Sequence, residues 1–367
     1  MSTVCIGANC LYGPRFGGMF WAYLNWALGA LSNGCRVVWL EGVDPATPVD
    51  EAATLVDGLR ARLADFGLGD SLALAPWGDS PLDPEVVARA LDLDAATEAD
   101  LLIDLVYDLP RAVVDRFGRS ALVSVDPGLL EVWMRDGTIE VADHDLYFTI
   151  GARSLDDSRE WRRTQPCVSL DRWTVSPAPT DAPFTTLTNW YGNEWIEHDG
   201  EVHRNDKRAG FLPFIDLPRL TSEPLELAVH LGDAVDDEAM LRERGWRLAD
   251  PAAVAGSPND YRRYVGSSKG EFGCAKPFYA RLETGWFSDR SVCYLASGKP
   301  VVVQDTGPND ALADREGVFR FKTAEEAARC LDECAADYER HCKAARSLAE
   351  ERFDARLVVG RVLEDAL

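Results

Sequence analysis

The sequence predicts an α/β protein made of two doubly wound parallel-sheet halves, and three observations carry that prediction. Short apolar runs alternate with helix-compatible stretches along the whole chain. The alternation restarts after the proline-rich segment TVSPAPTDAPF (174–184), which cannot pack as a regular element and reads as a linker. The length, 367 residues, suits about two domains, each large enough to bury its own core.

Taken in order, Val4-Cys5-Ile6 is a short buried strand, followed by the glycine-rich loop GANCLYGPRFGG (7–18). Phe20, Tyr23, Leu24, Ala27, Leu28 and Leu31 then recur at helical spacing, and Asn33-Gly34 supplies the left-handed stop. CRVVWLEG is apolar almost throughout, as a strand covered on both faces requires. LALAP (72–76), DLLIDLV (100–106), ALVSV (121–125) and DLYFTIG (145–151) continue the first half as strands, each closed by Asp, Pro or Gly. In the second half TTLTNW (185–190), LELAVHLG (225–232), WRLAD and KPVVVQDTG are strands. KRAGFLPFIDLP, DDEAMLRERG and SPNDYRRYVGSS are helices, and Phe278 to Leu295 holds further helix broken around Gly285. The chain is helical from Thr323 onward, with acidic and basic residues on the outer face.

Composition excludes several function classes. With 38 Lys+Arg against 61 Asp+Glu the net charge is −23, a surface that repels phosphate backbones and anionic lipid. No apolar stretch is long enough to span a bilayer, and the N-terminus lacks a signal-peptide pattern, so a cytoplasmic location is expected. The nine cysteines form no C-x-x-C pair and the five histidines are scattered, so no metal site is expected. Cys330, Cys334 and Cys342 read as small apolar fillers of a helix. LDLDAATEAD (91–100) lacks the central glycine and terminal glutamate of a calcium loop, and solvated helix ends explain its carboxylates.

Ligands of open parallel sheets bind beyond the carboxyl ends of the strands. Two segments meet that criterion. Gly17 and Gly18 begin a helix, where free N–H groups favour an anion and missing side chains permit close approach; a merely tight turn is the alternative. In GWFSDRSVCYLASGKPVVVQDTG (285–307), Ser288 or Asp289 caps a helix whose first turn holds Arg290. A cation there opposes the helix dipole, which makes sense beneath an anion such as a diphosphate.

The run Leu295-Ala296-Ser297-Gly298-Lys299-Pro300-Val301-Val302 resembles the A-x-G-x-P-V-V segment at the donor site of two-domain GT-B glycosyltransferases. The opening strand–glycine loop–aromatic helix–strand is similar to their first β-α-β unit, and residues 344–367 resemble their closing helices. That resemblance implies two Rossmann-like domains facing a cleft: an acceptor domain over 1–178, a donor domain over 184–345, and a C-terminal helix over 346–367 returning to the first domain. It implies transfer of a sugar from a nucleoside-diphosphate donor, a co-substrate and not a cofactor, to a small-molecule acceptor. The transfer would need no metal, and the protein would be a monomer or homodimer.

For the diphosphate, the candidates are Lys269 in the Ser/Gly-rich turn SSKGEFGCAKP, Lys276, Ser288, Arg290, Ser291, Asp305 and Thr306. For an acceptor base Asp126 comes first, with Asp104, Asp108 and Glu41 at comparable strand ends; His144 precedes a strand and is expected at the wrong edge. Phe20, Trp21, Tyr23 and Trp26 read chiefly as core. One departure stands out. Many retaining members carry two glutamates where this chain has Gly285 and Cys293, so either Glu283 or Asp289 substitutes from nearby or the donor is held differently. A fold member that binds a nucleotide or a partner without transfer, or an epimerase of the same fold, is the alternative.

Overall fold

The computed structural model describes residues 1–13, 17–78, 80–152, 154–155, 158–191, 195–198, 200–312 and 316–367. The Pro14–Phe16 part of the first glycine loop thus lies outside the described residues.

Seven parallel strands form the first sheet: β1 (Thr3–Ala8), β2 (Arg36–Val43), β3 (Leu72–Pro76), β4 (Leu101–Asp104), β5 (Ser120–Ser124), β6 (Leu146–Thr149) and β7 (Trp161–Arg163). Their order is β3-β2-β1-β4-β5-β6-β7. Every residue of β1 is buried, because helices cover both faces of a parallel sheet. After β7 the chain runs through 174–183 without a regular element. It continues with β8 (Phe184–Asn189), β9 (Trp195–His198), β10 (Glu201–Arg204), β11 (Leu225–His230), β12 (Arg247–Ala249), β13 (Gly270–Gly273), β14 (Val301–Gln304) and β15 (Val318–Phe321). Six of these form a second parallel sheet, β12-β11-β8-β13-β14-β15, while β9 and β10 pair as an antiparallel hairpin. In both sheets the order reverses beside the first strand, the place where such folds bind ligands.

The predicted turn SSKGEFGCAKP is a central strand. Gly270 is required there, since a Cβ would lie 2.5 Å from the Pro300 carbonyl and 2.6 Å from the Phe184 ring. Strands β7, β9, β10 and β15 also went unforeseen, being three or four residues long and mostly polar or half-exposed. KRAGFLPFIDLP is helical only over Lys207–Phe211; Pro213 and Pro218 reduce the remainder to single 3₁₀ turns. Gly285, at φ 71°, does break the helix at the expected place.

The halves share a core. The opening helix Gly17–Ser32 buries Phe20, Trp21 and Trp26. Trp21 meets Trp173 edge-on at 4.9 Å, and its indole donates to the Pro258 carbonyl of the second half at 2.8 Å. The closing helix Ala355–Ala366 returns to pack on that same helix. Gly29 makes the close approach possible, since a Cβ would lie 2.6 Å from both the Ala355 carbonyl and Val359. This is the GT-B architecture. No helix among the described residues is long and apolar enough to cross a membrane.

Candidate active site

A cavity of about 720 Å³ opens between the start of the opening helix and the carboxyl ends of β8, β11 and β12. Gly17, Gly18 and Met19 form its upper rim; Leu187, Thr188, Asn189, Ala228 and His230 come from the strand ends. Among the described residues three cations line it, Lys207, Lys276 and Arg290, beside the carboxylates Asp206, Asp250 and Asp289. In a chain of net charge −23 this even balance is more positive than composition alone would place in a pocket.

Lys207 is the first residue of its short helix, capped by Asp206, whose Oδ1 accepts from the Ala209 amide at 2.8 Å. The next residue anchors the segment. Arg208 donates to Asp237 at 2.8 and 3.0 Å, and Trp190 Nε1 joins at 2.8 Å, so the Asp237 carboxyl is held down at about 2, chiefly by Arg208. The Lys207 ammonium donates to the Cys274 carbonyl at 2.9 Å and sits 5.3 Å over the Trp286 ring. Burial first, then repulsion from Arg290 and Lys276, lowers it to about 7. A second negative partner would relieve that stress.

Arg290 is differently placed. Its Nε donates to Glu271 Oε1 at 2.7 Å and its Nη1 to the Leu187 carbonyl at 2.9 Å. Burial works against the guanidinium charge, but Glu271, Tyr261 and Tyr294 outweigh it and raise its pKa. Much of its charge is therefore spent inside the protein, although the side chain still lines the cavity. Ser288 caps the helix by accepting from the Arg290 amide at 3.2 Å, and the Asp289 carboxyl is raised by burial. Of the cavity acids, Asp206 is committed to Ala209 and Arg204, while Asp250 caps its own helix at Ala252.

Gly17, Gly18, Lys276, Ser288 and Arg290 thus come together, and other candidates do not. Lys269 precedes β13 at the opposite edge of the sheet, where it pairs with Glu223 and lies over Phe184 and Tyr338. Ser291 is buried beneath the helix start. Asp305 pairs with Arg320 at 3.2 Å, and Thr306 donates to the Trp286 carbonyl at 2.6 Å, bracing the loop before Ser288; neither lines the cavity. Gly17 and Gly18 line the cavity, and their small size also serves packing between the halves. Cβ atoms there would meet the Ser257 carbonyl at 2.3 Å and Tyr261 at 2.9 Å, so the absent side chains admit the second half of the chain itself.

Asp126 does not stand free as a base. Its Oδ1 accepts from Tyr279 of the second half at 2.5 Å and its Oδ2 from Tyr107 at 3.2 Å. Glu41 is consumed by the loop after β1, accepting from the Cys10 and Leu11 amides and from Trp39 Nε1 at 2.8 Å. Asp104 is buried and faces His144 Nε2 at 3.2 Å, so His144 does reach a strand end. Asp108 is exposed. At the positions of the absent glutamates, Gly285 lies against Ala152, where a Cβ would clash at 2.4 Å, and the Cys293 thiol is buried beside Asn25. Gly285 has no room for a side chain.

Lys207, the cation most exposed to the question of an anion, was missed. The signal existed: it stands in the first turn of a helix, the same placement that singled out Arg290.

No family model matches the sequence, and no curated protein matches it. Solved structures do. HepE of Anabaena in complex with UDP and glucose superposes over 100% of this chain and 99% of its own, with TM-score 0.58 and 12% identity. An alpha-glucosyltransferase in complex with UDP covers the same shares with TM-score 0.59 and 10% identity. Sucrose-phosphate synthase from Thermosynechococcus elongatus matches 99% of this chain and 98% of its own, at TM-score 0.56 and 10% identity. From end to end, the chain has the fold of the GT-B glycosyltransferases.

Proposed function

We propose that this protein is a glycosyltransferase that takes a sugar from a nucleoside-diphosphate donor held in the cavity and passes it to a small-molecule acceptor. The observation that carries this reading is the convergence of Lys207, Lys276 and Arg290 on one cavity of an otherwise strongly acidic chain. It lies beyond the strand ends at the order reversal, and the fold is shared with proteins whose structures contain UDP. The departing diphosphate gathers charge as the glycosidic bond breaks, and fixed cations in a low-dielectric cleft stabilise that charge most. Lys207 is the principal donor, Lys276 the second, and Arg290 contributes what Glu271 leaves. These cations supply the charge that a divalent metal supplies elsewhere, so transfer is metal-independent. The acceptor enters from the first half, residues 1–178, and the donor is held by residues 184–345.

The test is release of nucleoside diphosphate from a panel of UDP-, GDP-, ADP- and dTDP-sugars, with and without EDTA. Release from at least one donor, unaffected by EDTA and lost in Lys207→Gln, is expected. A second reading, a nucleotide binder without transfer, is favoured by Gly285 and Cys293 standing where related enzymes carry glutamates. Binding without release under any acceptor condition would decide for it.

A further inference from the structure

The loop that leads into the cavity helix is one place where the two halves touch. Ala152 of the first half donates its amide to the Thr284 carbonyl at 2.9 Å. Gly285, at φ 71°, fits against Ala152 with no space for a Cβ, and Gly128, at φ 78°, fits against Thr284. Beside this seam Tyr279 donates its hydroxyl to Asp126 at 2.5 Å. Asp126 is itself fixed by Tyr107, a non-glycine residue at φ 76° whose hydroxyl accepts from the Val125 amide at 2.7 Å. A non-glycine residue in the left-handed region is held there by its surroundings.

The same tyrosine faces the other way through its ring. Tyr279 stacks on Trp286 with centroids 4.8 Å apart and planes 10° from parallel. Trp286 in turn lies under the Lys207 ammonium, and its carbonyl is fixed by Thr306. A continuous chain of contacts therefore runs Tyr107–Asp126–Tyr279–Trp286–Lys207, from the first half to the main cation of the cavity. Asp126 and Tyr279 themselves are not among the residues lining it.

We propose that Tyr279 is a positioning residue: bound to Asp126 when the halves are docked, it holds Trp286 beneath Lys207 and so sets the affinity of the cavity for a nucleoside diphosphate. The inference rests on the reading of the cavity given above and adds the means by which docking of the acceptor half is felt at the donor. Any donor-side cation could bind phosphate without it; the stack makes the strength of Lys207 depend on the seam. The groups that face Lys207 are Arg290, Lys276, Glu271, the Cys274 thiol and carbonyl, and the Trp286 ring. Among the described residues none of these belongs to the first half, and the stack through Tyr279 is a route by which that half reaches Lys207.

The experiment is calorimetric titration of the full chain with UDP, GDP and ADP across pH 6 to 9, using the tightest-binding of the three thereafter. Tyr279→Phe keeps the ring and removes only the hydroxyl, and Asp126→Asn changes the other side of the bond. Each is expected to weaken binding by about fivefold or more, the range of a real coupling between sites, and the pair together no more than either alone. Both should also move the pH midpoint of affinity. Full-strength binding by a folded Tyr279→Phe variant would overturn the inference and leave the nucleotide reading intact. Absence of binding by the unaltered protein would overturn that reading instead. Should Tyr279→Phe melt early, Asp126→Asn alone decides by the same criterion.

Discussion

The Arg290 guanidinium and the Glu271 carboxylate meet at 2.7 Å beneath the cavity floor, with Glu271 wholly buried and its second oxygen without a hydrogen-bond partner. An arginine that looks in sequence like a ligand clamp is thus first the counter-ion of a buried acid. Removing one member of such a pair leaves an uncompensated charge, whereas replacing both by apolar groups is often tolerated. Arg290→Met is therefore expected to destabilise the fold by about 3–5 kcal/mol, with the Arg290→Met/Glu271→Met double variant closer to the parent. Chemical denaturation of the three proteins checks this; equal losses in the single and double variants would contradict it.

Lys207 gives a pH signature with a definite sign. Held at about 7 against an ordinary 10.5, it is deprotonated in the folded protein before it is in the unfolded chain. Between those values the unfolded chain binds more protons, so the ligand-free protein gains stability as pH rises from about 7 toward 10. Below pH 7 the cost of the enclosed ammonium is present in full. Compared with Lys207→Met, the parent's melting temperature should rise relative to the variant across that window. Affinity for UDP should move the opposite way and fall above pH 7, because the anion binds the charged form.

Gly17→Ala separates local from tertiary control. Alanine in an early helical turn favours helix by up to about 1 kcal/mol. Here its Cβ would sit 2.3 Å from the Ser257 carbonyl, a backbone atom that cannot step aside. The variant should lose stability, and a melting temperature at or above the parent's would show that the halves are not in contact at this point.

Glu41 shapes the loop after β1 through three donors on one carboxylate. Burial raises it to about 7 despite those bonds. Glu41→Gln turns an amide N–H toward at least one of them, and a loss of about 1–3 kcal/mol is expected by denaturant titration.

Much of the topology was legible in the sequence because its physical causes are local. Apolar runs such as CRVVWLEG favour buried parallel strands, and Gly285 weakens a helix at its position. What failed was whatever depended on neighbours. GEFG looks like a turn until Phe184 and Pro300 are packed against it, and that Gly17 also admits Ser257 shows only once the second half is in place. The same limit governs the site. The first-turn placement of Arg290 is readable, yet Glu271, nineteen residues earlier in the chain, decides how much of its charge remains. Asp126 ends a strand where a base belongs, and only the fold reveals the two tyrosines that occupy it.

The most direct measurement is phosphorus NMR of UDP, GDP and ADP titrated into the protein and into Lys207→Gln. At least one diphosphate should shift and broaden with the parent protein at pH 6.5 and show no change with the variant. Spectra that stay at their free positions with the parent protein for all three would contradict a diphosphate site at Lys207, and with it the assignment of transferase chemistry to this cavity.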